Sequence, residues 1–97
     1  MLLKGKTAGV TGCNRGIGKS ILDVLARNGA EIWACIRKPD ERFTEYTSNL
    51  SKEASVTIHQ IFFDFNEIDE IKAGVKKILS HKKDIDIIVN NAGVNFT

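Results

Sequence analysis

Several classes of protein are excluded by what this sequence contains little of. Only two cysteines, Cys13 and Cys35, are present. Two cannot make the disulfide framework of a small secreted domain, and no close Cys/His cluster suggests a zinc site. The two histidines, His59 and His81, sit far apart in unrelated patterns and read as ordinary strand or surface residues. No metal is expected, and the reducing cytoplasm is the expected compartment. Charge of one sign is also scarce: 14 Lys and Arg against 12 Asp and Glu leave a net charge of +2. That is too little to argue for nucleic acid or an anionic membrane as partner. No apolar run approaches the ~18 residues that span a bilayer, and Met1-Leu2-Leu3-Lys4-Gly5-Lys6 has too few apolar residues before its charges for a secretory signal. There is no low-complexity stretch, internal repeat or long linker, and 97 residues are enough for one small domain.

What is present is an alternation of β-branched runs and helical patterns. A first strand is expected at Thr7 to Thr11, then a glycine-studded turn from Gly12 to Gly18. A helix follows to about Asn28, with Ile17, Ile21, Leu22 and Leu25 at helical spacing on one face, and Asn28-Gly29 stops it. Glu31 to Ile36 predicts a second strand, with Trp33 packing against a helix and Cys35 in the core. Pro39 suits the first turn of a second helix, because its missing N–H would be unpaired there anyway. Phe43, Tyr46 and Leu50 carry that helix's apolar stripe, and Thr47 to Ala54 is the weak spot, a polar connection. Ser55 to Phe63 predicts a third strand. Ile68, Ile71, Val75, Ile78 and Leu79 mark a third helix, and Asp84 to Asn90 a fourth, almost wholly apolar strand. Strands buried on both faces belong to parallel sheets covered by helices. The expected fold is therefore α/β, a Rossmann-like three-layer αβα arrangement. Its parallel sheet is a βαβαβαβ half with strand order 3-2-1-4 and right-handed crossovers.

The most informative octet is Thr11-Gly12-Cys13-Asn14-Arg15-Gly16-Ile17-Gly18. It leaves a strand and opens a helix, the context that separates a nucleotide site from a chance glycine cluster. Gly12 lets the chain turn sharply, Gly16 lets backbone approach a phosphate, and Gly18 lets the helix pack close to the sheet. The helix N-terminus offers unpaired N–H groups and the positive dipole end to a pyrophosphate. A turn of this kind that binds nothing is the plainer reading.

The spacing Gly-x-x-x-Gly-x-Gly with Thr11 in front resembles the short-chain dehydrogenase/reductase family rather than the commoner Gly-x-Gly-x-x-Gly fingerprint. Asn90-Asn91-Ala92-Gly93 ends the fourth strand, where that family carries the same tetrapeptide beside its cofactor. Lys4-Gly5-Lys6-Thr7 is a weaker match. The resemblance, closest to reductases of 3-oxoacyl groups on acyl carrier protein, implies a nicotinamide dinucleotide as cofactor. It places Gly12, Asn14, Arg15, Gly16, Ile17, Gly18, Asn91, Ala92 and Gly93 around that cofactor, and Asp64-Phe65 near the adenine. Asp64 could instead cap or start the turn into the next helix. The family's acidic position, which selects NAD by binding the ribose 2′-hydroxyl, falls on Ile36. Arg37 and Lys38 follow at once. An absent acid and the cations Arg15, Arg37 and Lys38 favour NADP over NAD, although Arg37 and Lys38 could be a solvated loop.

The resemblance further implies hydride transfer between NADPH and a small carbonyl or alcohol substrate in a homo-oligomeric protein. The family's chemistry uses a Tyr with a Lys four residues on and a Ser upstream. The one tyrosine here, Tyr46, is followed at that distance by Leu50 and is expected in the core, so no residue is assigned to catalysis. The chain is thus expected to be the cofactor-binding part, residues 1–97, of a longer reductase, its apolar fourth strand left at an edge. A non-catalytic nucleotide-binding module and an NADP-sensing protein are the alternatives. Cys13, inside the glycine turn, is a lesser candidate for redox chemistry.

Overall fold

The structure, a computed structural model, describes residues 2–64, 67–81 and 85–91. Seven elements alternate: β1 (Thr7–Thr11), α1 (Gly16–Arg27), β2 (Glu31–Ile36), α2 (Glu41–Ala54), β3 (Ile58–Phe62), α3 (Ile68–His81) and β4 (Ile87–Asn90). The four strands form one parallel sheet in the order β3-β2-β1-β4, the expected Rossmann-like arrangement.

Period-two alternation along β2 splits the core into two layers. Ile32, Ala34 and Ile36 point to one face, where they join Ala8 and Val10 of β1, Leu22 and Ala26 of α1, and Phe43 and Leu50 of α2. Trp33 and Cys35 point to the other and join Ile61, Phe63 and Ile78 of α3. Trp33 packs on that helix layer as expected and also stacks on the His59 ring, with centroids 4.0 Å apart. His59 in turn lies 2.6 Å from a Glu31 carboxylate oxygen. Burial on both faces is why β2 reads as a continuous apolar run.

Several boundaries differ from expectation. In α1 the buried stripe is Gly18, Leu22 and Ala26, while Ile17 is 73% exposed. Small residues let the helix sit close to the sheet, which turns the bulky Ile17 outward. Pro39 precedes α2 rather than opening it. The cap is Asp40, whose carboxylate accepts the Phe43 N–H at 3.1 Å and so satisfies an amide that Pro39 could not. The polar segment 47–54 is helix, not connection, because Phe43, Thr47 and Leu50 bury one side of it. Ser55 is the C-cap of α2 at φ 56 and ψ 44 rather than the start of a strand, and β3 begins at Ile58. Asp84 lies outside the described residues, and β4 begins at Ile87. Asp86 just before it donates its N–H to Thr7 O at 2.9 Å and accepts the Thr7 N–H through its carboxylate at 2.8 Å. Ile88 of β4 is 71% exposed on an edge of the described sheet. Tyr46 is half-buried instead of core, its hydroxyl donating to Asp23 at 2.7 Å. No helix among the described residues is long and apolar enough to cross a membrane.

Candidate functional site at the carboxyl edge of the sheet

In a parallel sheet every strand ends on the same edge, so this topology gathers four loops there: the glycine turn after β1, Arg37 and Lys38 after β2, Asp64 after β3, and Asn91 after β4. Ligands of open α/β sheets bind outside this edge.

The turn is built from backbone that only glycine adopts freely. Gly12 sits at φ 61 and Gly16 at φ 58, and the Gly12 N–H is held by Cys35 O at 3.0 Å. The three glycines then differ in what surrounds them. A Cβ on Gly16 would meet nothing within 4 Å, so open space lies in front of the turn. A Cβ on Gly18 would lie 2.4 Å from Gly12 O and 2.7 Å from Asn91 Nδ2. Gly18 is therefore a packing residue, and Asn91 is its neighbour because its amide donates to Gly12 O at 3.1 Å. Beside it, Thr11 Oγ1 donates to Asn90 Oδ1 at 3.1 Å.

The start of α1 faces that open space with its own donors. Its N-cap, Arg15, makes no side-chain cap bond, and no acidic residue lies in the first turn. The leading amides and the positive end of the helix dipole are left without a carboxylate from this chain's first turn. Arg15 and Ile17 are exposed and Asn14 is half-buried. A pyrophosphate fits these features: backbone donors, an open approach over Gly16, and no internal anion in the first turn.

At the end of β2, Ile36 is fully buried and Arg37 and Lys38 are exposed. Arg37 reaches across to Asp64, Nη2 to Oδ2 at 3.5 Å. The Asp64 N–H is taken by the Glu70 carboxylate at 2.9 Å. Glu70 was not anticipated from sequence; its only signal is an acid in the first turn of α3. The structure thus brings Gly12, Gly18 and Asn91 into contact, and Arg37 with Asp64. Phe65, Ala92 and Gly93 lie outside the described residues.

Cys13 is fully buried and donates weakly to Cys35 O at 3.9 Å. Burial, together with the nearby Cys35, pushes its thiol up to about 12. Only the thiolate is nucleophilic, so Cys13 is a packing residue of the turn. Two shallow hollows occur among the described residues, one on the outer side of α2 between Pro39 and Asn49, the other starting at Gly16 and running along Ile17, Ile21 and Val24 of α1. Neither gathers the strand-end residues. Among the described residues, no group of three metal-ligating side chains occurs.

Comparison with known proteins places this architecture. The family model described as short chain dehydrogenase matches residues 6–97. An uncharacterized oxidoreductase of Schizosaccharomyces pombe is 35% identical over 94 residues, 97% of this chain and 35% of that protein. A 3-oxoacyl-acyl-carrier-protein reductase of Chlamydia trachomatis is 36% identical over 95 residues, 96% of this chain and 37% of its own length. Among solved structures, L-sorbose reductase from Gluconobacter frateurii, complexed with NADPH and L-sorbose, superposes with a TM-score of 0.84 at 32% identity, over 96% of this chain and 36% of that one. Carveol dehydrogenase from Mycobacterium avium, in complex with NAD, gives 0.77 at 28% identity, over 93% of this chain and 36% of that one. The chain spans about a third of the length of the curated relatives it matches. With the family model covering nearly all of it and the strand order and glycine turn in agreement, the chain belongs to the short-chain dehydrogenase family.

Proposed function

We propose that residues 1–97 are the NADP-binding part of a Rossmann-fold short-chain reductase that transfers hydride between NADPH and a small carbonyl or alcohol substrate. The observation that carries this reading is the uncapped start of α1 beneath an open Gly16, with cations and no acid at the end of β2. The bound nicotinamide would supply the hydride. This chain's residues bind and orient: the α1 amides and Gly16 take the pyrophosphate, Gly12, Gly18 and Asn91 hold the turn in shape, and Asn14 and Ile17 border it. Ala92 and Gly93, next in sequence after Asn91, are assigned to the cofactor from the family tetrapeptide. Arg15, Arg37 and Lys38 face the ribose phosphate, and Asp64 with Phe65 the adenine.

A reductase complexed with NADPH and a dehydrogenase complexed with NAD both resemble this chain, so the choice rests on its own charges. A carboxylate after β2 would repel a 2′-phosphate; a buried isoleucine followed by two cations does the reverse. The proton at the substrate oxygen is assigned to residues outside these 97. Tyr46 has Leu50 where a lysine would be needed, and its hydroxyl is engaged with Asp23. A 3-oxoacyl thioester is the first substrate to try, given the Chlamydia relative. A cytoplasmic homo-oligomer is the setting we assign to the whole reductase.

Calorimetric titration with NADP and NAD tests the reading. Wild type should favour NADP. Arg37→Asp should shift the ratio toward NAD by about 1 kcal/mol, the low end for a charge-assisted contact, because the Arg37 side chain is 66% exposed and solvent screens it. An unmoved ratio would remove the basis for NADP. The 97-residue chain alone should show no NADPH consumption with a 3-oxoacyl ester above the enzyme-free rate; turnover would show that proton transfer follows another route.

A further inference from the structure

Arg37 lies one residue past the end of β2 and Asp64 two residues past the end of its neighbour β3. Ile36 and Phe62 are register partners in the β2–β3 ladder, and the Phe63 N–H still donates to Ile36 O at 3.1 Å. That bond carries the strand pairing one residue past Phe62, and just beyond it Arg37 Nη2 and Asp64 Oδ2 meet at 3.5 Å. Glu70, bound to the Asp64 amide at 2.9 Å, puts a second carboxylate beside them. The side chains are 66% and 30% exposed, so the contact is open to competition from solution.

We propose that the Asp64 carboxylate is an internal competitor for Arg37, occupying the guanidinium that a ligand phosphate would otherwise take, and that it thereby sets how strongly the site prefers a 2′-phosphorylated adenosine. The inference rests on the cofactor reading above and adds a residue that works against that preference. A guanidinium offers a planar fork of donors. A phosphate dianion can outbid one carboxylate for that fork; an uncharged 2′-hydroxyl cannot. With NADP, Arg37 must leave Asp64 before it serves the phosphate. With NAD it stays where it is. Since an exposed ion pair is weak, the competition trims the preference rather than abolishing it.

The test uses the chain as it stands and two half-cofactors, adenosine 2′,5′-bisphosphate and adenosine 5′-monophosphate, titrated by calorimetry. Asp64→Asn keeps an acceptor oxygen and removes the charge. It should raise the affinity ratio of bisphosphate to monophosphate by about twofold to fivefold, the range an exposed pair can supply. In an Arg37→Ala background the gain should fall by at least half, because no guanidinium remains to be released. A ratio unchanged or lowered by Asp64→Asn overturns the proposal. So does an equal gain in both backgrounds, which would mean simple repulsion between Asp64 and the phosphate. If wild type binds neither half-cofactor, the cofactor reading itself fails and this inference falls with it. Binding with an unmoved ratio removes the competitor alone.

Discussion

The side-chain amide of Asn91 donates to the backbone oxygen of Gly12 at 3.1 Å, joining positions 79 residues apart. That bond pins the end of β4 to the turn that follows β1. The same Nδ2 atom and the same oxygen leave no room for a Cβ on Gly18. Turn, helix and fourth strand therefore meet at one point, and the geometry of the turn depends on all three.

Gly18→Ala should destabilise the fold. Its Cβ would sit 2.4 Å from Gly12 O, a backbone atom that no rotamer change can move aside. The helix-propensity gain of about 1 kcal/mol is expected to lose to overpacking of about 1–3 kcal/mol. Asn91→Ala should cost about 1 kcal/mol by removing the hydrogen bond alone. Urea midpoints would order the two variants, and a Gly18→Ala midpoint at or above wild type would refute the tight approach.

At Gly16 strain and obstruction can be separated. Gly16→Val should lose dinucleotide binding and some stability, because φ 58 is a region β-branched residues avoid. Gly16→Asn should keep most of the stability, since asparagine tolerates left-handed backbone, yet still put side-chain atoms over the open approach. Retained affinity in both variants, measured by cofactor titration, would mean that the phosphates lie elsewhere.

Gly74 is a glycine in the middle of α3, where alanine would ordinarily stabilise by about 1 kcal/mol. A Cβ there would lie 2.7 Å from two ring carbons of Phe63, which is buried. Gly74→Ala should therefore destabilise, by about 1–2 kcal/mol net. Combined with Phe63→Leu, the same change should become neutral or favourable. Additive losses in the pair of variants would show that the two residues do not share the space.

Both thiols are held neutral by burial, Cys13 and Cys35 each pushed up to about 12 from a usual 9.0. At pH 8 the native chain should resist a thiol-specific disulfide reagent, with labelling limited by unfolding. The unfolded state loses these protons first, so the stability they contribute is complete below pH 9 and lost as pH rises toward 12. The slope is at most about 1.4 kcal/mol per pH unit per thiol. Replacing both by alanine should flatten the fall of the urea midpoint between pH 9 and 11. An equally steep fall would assign it to other groups.

The first two strands could be read to the residue because β-branched runs bounded by glycine and charge leave little choice of register. The β3 boundary could not. Ser55 takes the left-handed cap usually given to glycine, and nothing in a serine announces it. Segment 47–54 looked like a loop because its helix buries a threonine, Thr47, among otherwise polar neighbours. Periodicity weights bulk and so predicts Ile17 inward, whereas the close contact is made by Gly18, Leu22 and Ala26. At the site, the glycine spacing and its place between a predicted strand and a predicted helix mark the turn. The link from Asn91 to Gly12 carries no local signature, since it joins loops that only the folded sheet brings together, whereas the bond from the Asp64 N–H to Glu70 spans six residues and is marked only by an acid in the first turn of α3.

The strand order has a temporal side. β1 lies inside the described sheet, yet its two partners follow it at very different distances along the chain: β2 pairs with it from Thr7↔Glu31 and β4 from Ala8↔Ile87. During synthesis, at roughly 5–20 residues per second, one flank of β1 can zip within a few dozen residues. The other waits for several seconds more, a delay typical of parallel pairings with long crossovers. Over that interval the backbone groups of Thr7 and Gly9 that later face β4 stand open to the wrong partner. Gly12 likewise waits for Asn91, so the glycine turn is among the last parts of this chain to acquire its final shape.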